Sequence, residues 1–337
     1  MATKSKPALA GLELLPYTDE GVLADIVSVA NAEFEADSVP ARYNVADHRA
    51  WFSRASEMFD PARDVTLAYV GNRLVASASR EWVDTRDGEY REYRVGGEVD
   101  PEWRHRGIGT ALLLENERRQ RELAATHQTE RRRVFGSRSG DTQAGRVALL
   151  RQHGYSPVRW FFEMTRPTLD DVSDPPLPDG LALREITPEL VHRVWKADME
   201  AFLDHWGGFD DSDATLERWK QSPSFDPSLW VVAFDGEEVA GGVINGIEHE
   251  ENEALGVQRG WLHSVFTRRP WRRRGIANAL IARSLVKLRE RGMTSAVLGV
   301  DADNPSGALG LYERNAFEVT YRSTSWRKPL EMEEARR

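Results

Sequence analysis

The sequence predicts a mixed α/β (α+β) fold in two successive domains, each a central mixed β-sheet flanked by helices. Three observations predict it. A basic-glycine string occurs twice, as Arg104-His105-Arg106-Gly107-Ile108-Gly109 and as Arg272-Arg273-Arg274-Gly275-Ile276-Ala277. Each copy follows a Trp, at Trp103 and Trp271, and runs into an apolar helical stretch. A strand, glycine turn and second strand also recur, at Val65 to Ala76 and at Trp230 to Ala240. Between the halves, Asp170 to Gly180 is rich in Pro and Asp and lacks periodicity, as a linker does.

Taken in order, each half opens on a short strand, Leu12 to Pro16 in the first and Leu181 to Glu185 in the second. Helices are expected over Glu189 to Leu203 and Asp213 to Gln221. The hairpin follows, then a central strand that leads into the basic string; in the second half this is Trp261 to Thr267. Apolar residues at helical spacing from Ala277 to Arg291 stop at Gly292. Thr294 to Val300 reads as a buried strand, Ser306 to Arg314 as a short helix, and Glu318 to Ser325 as a last strand. Arg151-Gln152-His153-Gly154-Tyr155 in the first half matches Arg314-Asn315-Ala316-Phe317 in the second. The pattern is a domain-length duplication rather than a solenoid. Mixed strands and helices in this order build one central sheet per half. The expected domains are 1–174 and 175–337, with Glu331 to Arg337 a frayed charged tail.

Composition narrows the function. The 337 residues suit two domains. A net charge of −9 argues against a general nucleic-acid binder, whereas a local basic loop suits a small anionic ligand. The absence of cysteine excludes disulfides, thiolate metal sites and a cysteine nucleophile. The first residues are polar and include Pro7, unlike a secretory leader. No stretch approaches the roughly 18 apolar residues of a membrane span. The expectation is a cytoplasmic protein, monomer or homodimer, without nucleic-acid or membrane partners.

A glycine turn that opens a helix presents unpaired N–H groups at the positive end of the helix dipole, which makes a phosphate site. With an Arg-x-x-Gly-x-Gly/Ala string between a central strand and a long helix, this order of elements resembles the GNAT superfamily of acyl-CoA-dependent N-acetyltransferases. In the second half, Asn304 and the run Leu311-Tyr312-Glu313-Arg314-Asn315-Ala316-Phe317 strengthen the resemblance. It implies acetyl-CoA as co-substrate and no metal. It implies that Arg272, Arg274, Gly275 and Ala277, with the main-chain amides of Arg273 to Asn278 including Ile276, hold the pyrophosphate. The pantetheine arm would lie along Val265, Phe266 and Thr267, with Asn304 in contact. Tyr312 stands where the family keeps the acid that protonates the departing thiolate; a Tyr reference pKa near 10 exceeds a thiol's, about 8.5. Many relatives carry a Glu base on the central strand where this chain has His263, a residue able to act near neutral pH. Asp301 and Asp303 are alternatives.

The first half keeps Arg104, Arg106, Gly107 and Gly109 but carries Leu150 for Tyr312, Thr142 for Asn304 and Val95 for His263. It is expected to be catalytically degenerate, with Tyr155 a core aromatic. The implied activity is direct acetyl transfer to a primary amine of a small molecule or peptide. One alternative is a mycothiol-synthase-like arrangement acting on a cysteinyl thiol conjugate; another is a non-catalytic CoA-binding sensor. Asp204 to Phe209 and the acidic run Glu248 to Glu253 mark the expected acceptor pocket. An acidic rim would favour a cationic amine, while the same run also reads as a solvated hairpin loop. His205 and His249 lack metal-ligand spacing.

Overall fold

A computed structural model of the chain describes residues 9–53, 55–207, 211–303 and 307–331. The chain forms two compact units. The first gathers the described residues of Met1–Val158, Trp206–Arg218 and Ser323–Arg337; the second gathers those of Arg159–His205 and Trp219–Arg322.

The elements in chain order are β1 (Leu12–Pro16), α1 (Leu23–Ala36), α2 (Val45–Phe52), α3 (Pro61–Asp64), β2 (Val65–Val70), β3 (Arg73–Asp84), β4 (Tyr90–Val99), α4 (Ile108–Thr126), β5 (Arg132–Gly140) and α5 (Ala144–Gln152). They continue with β6 (Ser156–Arg166), β7 (Ala182–Arg184), α6 (Pro188–Ala201), α7 (Asp213–Trp219), β8 (Val231–Asp235), β9 (Glu238–Gly246), α8 (His249–Leu255), β10 (Arg259–Thr267), α9 (Ile276–Glu290), β11 (Ser295–Asp301), α10 (Ala308–Arg314) and β12 (Glu318–Pro329).

The first unit's sheet runs β1-β2-β3-β4-β5 and closes on the Ser323–Pro329 part of β12, which pairs antiparallel with β5. The second unit's sheet runs β7-β8-β9-β10-β11 and closes on β6, antiparallel to β11. In each unit one strand pair is parallel, β4 with β5 and β10 with β11. A parallel pair needs a crossover. Here the crossover helices are α4 and α9, which the two basic-glycine strings open. The chain first passes from the first unit to the second at 158/159, ahead of the Pro- and Asp-rich stretch, lends Trp206–Arg218 to the first unit, and finally returns to it at 322/323. That stretch is held within the second unit, where Arg283 Nη1 donates to the Pro175 carbonyl at 2.8 Å.

Burial explains the elements. The inward stripe of α9 is Ile276, Ala279, Leu280, Leu285 and Leu288, and Gly260 on β10 makes room for Leu288: an added Cβ would meet its Cδ2 at 2.5 Å. β8 and β9 read as near-continuous apolar runs because Val231–Phe234 and Val239–Ile244 are buried throughout. In the first unit, α4 instead turns polar groups inward. Gln120 Nε2 donates to the carbonyls of Glu81 and Arg94 at 2.8 and 3.0 Å, clamping β3 to β4. The first unit's core contains Trp82, Tyr93, Phe135, Leu150, Tyr155 and Trp326. Tyr155 is the expected core aromatic, with its hydroxyl on Glu117 Oε1 at 3.0 Å.

The acidic run from Glu248 is not a solvated hairpin loop. His249–Leu255 is a helix, and Glu251 is buried, accepting from Trp261 Nε1 at 3.1 Å and paired with Arg259 at 3.0 Å. No helix among the described residues is long and apolar enough to cross a membrane.

Trp326 ties the C-terminal strand into the first unit by burial and by its Nε1 donating to Ser139 Oγ at 2.9 Å. Trp326→Ala should lower stability by about 3–5 kcal/mol in denaturant unfolding. A loss under about 1 kcal/mol would contradict the placement of that strand in the core.

Candidate active site

The second unit's site begins with a strand that outruns its partner. β10 pairs with β11 only from Arg259↔Ser295 to Leu262↔Leu298, yet continues to Thr267. Arg268 N donates to the Ala240 carbonyl, so the main-chain groups of residue 268, and by alternation of 266 and 264, point toward β9. Those of Val265 and Thr267 then point the other way, into the gap left by β11. The Thr267 carbonyl accepts from Arg272 Nε at 3.1 Å. Among the described residues the buried Thr267 hydroxyl has no hydrogen-bond partner; it packs over Gly241 of β9, where an added Cβ would lie 3.3 Å from it.

At the end of that edge the chain turns into α9. Gly275 caps the helix at φ +84°, in the left-handed region where a side chain is strained, and Arg273 also lies there at φ +61°. Ile276 is buried and anchors the first turn. The three arginines divide their work. Arg272 spans the Thr267 and Ala201 carbonyls, the latter at 3.2 Å, and so fixes the turn to the C-terminus of α6. Arg273 and Arg274 are exposed, and Arg274 makes a long contact of 3.4 Å to the Asp179 carbonyl. Trp271 braces the turn through Nε1 on Asp235 Oδ2 at 2.9 Å. Ala277 and Asn278 follow in the first helical turn, where the Asn278 side-chain oxygen accepts from Asn315 Nδ2 at 2.8 Å. Phe266 is buried, so that member of the edge acts by packing and main chain only.

Tyr312 lies on α10, 7% exposed, edge-on to Phe317 at 6.1 Å. Burial pushes its phenol up to about 12. Among the described residues its hydroxyl makes no hydrogen bond. Asn304 lies outside the described residues.

His263 sits at the irregularity in the β9–β10 pairing between Leu262 and Ser264. Its side chain is about one-third exposed, at 35%, and its ring stacks on Trp261 with 2° between planes. Nε2 lies 3.2 Å from Glu248 Oε1. Gly246 permits this pose, since an added Cβ there would fall 2.4 Å from Nε2. Burial raises the Glu248 carboxyl, but hydrogen bonds from His263 and Ser224 and the nearby imidazoles outweigh it and hold the group below its ordinary value. Glu248 is thus an ionised partner that holds the imidazole and can accept from an Nε2–H. The sequence reading missed this role; the residue stood inside an acidic run, and only the fold brings it to the ring.

The other acids separate. Asp301 is held by Arg159, Nε to Oδ1 at 2.8 Å and Nη2 to Oδ2 at 2.9 Å, and Asp303 lies 3.6 Å from the same guanidinium. Both are engaged in ion pairs. A carboxylate that the sequence did not suggest, Asp198 on α6, is buried and accepts from Ser264 Oγ at 2.6 Å. Burial pushes it up to about 7, against the hydrogen bond from Ser264. Of the expected acceptor-pocket residues, His205 packs on Phe202 with ring centroids 4.1 Å apart. Trp206 and Gly207 serve the first unit, Trp206 under Arg327 at 4.5 Å and the Gly207 carbonyl accepting from Arg86 N at 2.7 Å. Gly208 and Phe209 lie outside the described residues.

The first unit repeats the turn without its companions. Gly107 caps α4 at φ +86° and His105 lies at φ +62°. Arg104 is bound to Asp37 through two bonds of 2.8 Å, and Arg106 stacks on Trp103 at 4.6 Å. Gly109 lies close to Leu149, whose Cδ2 would be 3.5 Å from an added Cβ. Leu150 and Val95 are buried apolar residues where the second unit has Tyr312 and His263.

Residues 191–317 match the acetyltransferase (GNAT) family. The mycothiol acetyltransferase of Streptomyces scabiei is 30% identical over 76% of this chain and 76% of its own length. That of Salinispora arenicola is 28% identical over 93% of this chain and 95% of its own. Among solved structures, a GCN5-related N-acetyltransferase from Sphaerobacter thermophilus superposes with a TM-score of 0.69 at 27% identity, over 96% of this chain and 97% of that one. A tandem GNAT protein from the clavulanic acid biosynthesis pathway also reaches a TM-score of 0.69, at 16% identity over 96% of this chain and 100% of its own, a likeness of fold alone. A relative that is this similar over three-quarters of its length carries the conclusion: the chain belongs to the GNAT family of acetyltransferases, as an acyltransferase enzyme built from two GNAT-type domains.

Proposed function

We propose that the second unit transfers an acetyl group from acetyl-CoA to the amine of a small-molecule acceptor, and that this acceptor is a cysteinyl thiol conjugate of the mycothiol type. The observation that carries the assignment of the second unit is its open β10 edge, with the main-chain groups of Val265 and Thr267 turned to the gap, running to a glycine-opened helix. The acceptor class rests on relatives named mycothiol acetyltransferase that match most of this chain. It is narrower than the generic primary amine expected from the sequence.

The residues take the following parts. The amides from Arg273 to Asn278, with Arg273 and Arg274, bind the pyrophosphate, and the α9 dipole adds to their charge. Arg272 positions the turn. Val265 and Thr267 offer main-chain groups to the pantetheine amides in the manner of an added strand. Acetyl-CoA supplies the activated thioester. His263 accepts the amine proton at Nδ1 while Glu248 holds Nε2–H. An amide bond forms from the amine nitrogen to the acetyl carbon as the carbon–sulfur bond breaks. Tyr312 donates its proton to the departing sulfur.

Incubation with acetyl-CoA and an acceptor panel, read by thiol release and mass spectrometry, tests the reading. The expected result is fastest transfer to the amine of the cysteinyl conjugate. Binding of acetyl-CoA without thiol release on any acceptor would overturn it in favour of a sensor.

Tyr312→Phe should lower kcat by roughly 10²- to 10⁴-fold with little change in acetyl-CoA affinity; a matched loss of affinity would refute the acid role. The acid form exists below its pKa and is lost as pH rises through about 12. The Tyr312-dependent part of turnover should therefore stay flat between about pH 8 and 10, where an ordinary tyrosine, with a pKa near 10, would begin to ionise. His263→Ala should lower kcat/KM by roughly 10²-fold or more, and Glu248→Gln by a smaller factor. An unchanged kcat/KM in His263→Ala would exclude it as the base.

A further inference from the structure

We infer that the first unit takes no acyl-CoA because its own side chains occupy the strand edge where the pantetheine arm would lie, so that each chain binds one molecule, in the second unit. The inference rests on the assignment of acetyl-CoA to the second unit.

The two units offer matched edges. In the first, parallel pairing of β4 with β5 ends at Arg94↔Gly136, and β4 continues to Val99. Asp100 N donates to the Val75 carbonyl, so the groups of residues 100, 98 and 96 point toward β3. Those of Val95, Gly97 and Val99 point into the gap, as those of Val265 and Thr267 do in the second unit.

In the first unit that row is filled. The Val95 carbonyl accepts from Ser137 Oγ at 2.9 Å. The Gly97 carbonyl accepts from Arg146 Nη2. Val99 N donates to Glu33 Oε2 at 2.6 Å. The plug is cross-braced: Glu33 Oε1 accepts from Gln143 Nε2 at 3.1 Å and from Arg146 Nη2 at 3.3 Å, and Arg146 lies 3.6 Å from Glu98. Glu33 is buried. An entering amide would have to displace a buried, paired carboxylate and guanidinium, and stripping either of its partner is costly.

Glu33 on α1 and Asp198 on α6 stand at matched places, each four residues before the helix C-cap, Asp37 and Phe202. The longer acid reaches the strand-end amide Val99 N. The shorter one stops at Ser264 Oγ, at 2.6 Å, and leaves the Thr267 main-chain amide to the gap. The longer acid, with Ser137 and Arg146, closes the first edge, whereas the shorter one leaves the strand-end amide of the second open, which makes Asp198 a positioning residue for cofactor access.

Titration calorimetry of the full chain with acetyl-CoA tests this. One site per chain is expected. Two sites would overturn the inference while leaving the second unit's assignment intact; no binding would overturn that assignment and this inference with it. Gly275→Phe should abolish binding, and a remaining single site would place acetyl-CoA in the first unit and refute the plug. If that variant does not fold, the exposed pair Arg273→Glu with Arg274→Glu serves the same purpose. Asp198→Glu should weaken acetyl-CoA binding at least tenfold, while Asp198→Asn, which keeps the length, should weaken it by a smaller factor. Equal affinity in Asp198→Glu and the parent would remove the length argument.

Discussion

The early end of parallel pairing on the central strand is the constraint on which the rest depends. A strand that loses a neighbour exposes main-chain donors and acceptors that cannot be left buried and unpaired. In the second unit the ladder stops at Leu262↔Leu298, and the strand runs on to Thr267 beside a gap. The gap is extended, lined by amides, and ends at a helix N-terminus with exposed arginines. Extended hydrogen bonding and a terminal anion site are the two features that the proposed binding of acetyl-CoA would use, and both come from sheet geometry.

The same irregular strand places the candidate base. The shift in pairing at His263 lets that side chain lie over Gly246, whose missing Cβ is the space its ring uses. Trp261 stacks on one side and Glu248 takes Nε2. The imidazole is therefore fixed in position by its own strand and by the end of β9 with the residue that follows it. In the proposed role as base, the ring must be oriented, and Glu248 supplies a partner for that. Tyr312 reaches its state by the simplest route, since burial with no nearby charge keeps the phenol protonated.

Much of this was legible in the sequence. The repeated Arg-x-Arg-Gly string located both helix-opening turns, and hairpin and helix periodicity located the sheet around them, because those signals are local. The candidate site was proposed from the sequence only through the family resemblance, at Gly275 and Tyr312, and at His263 where the chain departs from the family's glutamate. What stayed hidden depends on contacts between distant segments. Glu248 meets His263 through the fold of β9 onto β10, and its acidic neighbours disguised it as solvent-facing. Arg272 carried the same charge as Arg273 and Arg274 in the sequence, yet its guanidinium is spent on two carbonyls. The closing strands were read as the ends of their own halves; register against β5 and β11, rather than composition, decides which sheet each completes.

The duplication shows how the shared constraint can be met in two ways. Both units inherit the truncated ladder and the glycine turn, so both must satisfy a row of strand groups. In the first, Ser137, Arg146 and Glu33 do so from within, and Arg104, the counterpart of Arg272, pairs with Asp37 instead of bare carbonyls. Each of these choices adds stability to a unit with Leu150 and Val95 in its core, and each consumes a group that a ligand would need. In the second, the main-chain groups of Val265 and Thr267 face the gap and the arginines of the turn stay exposed, an arrangement that the proposed ligand would complete. Unfilled strand groups, more than the motif common to both halves, distinguish the second unit from the first.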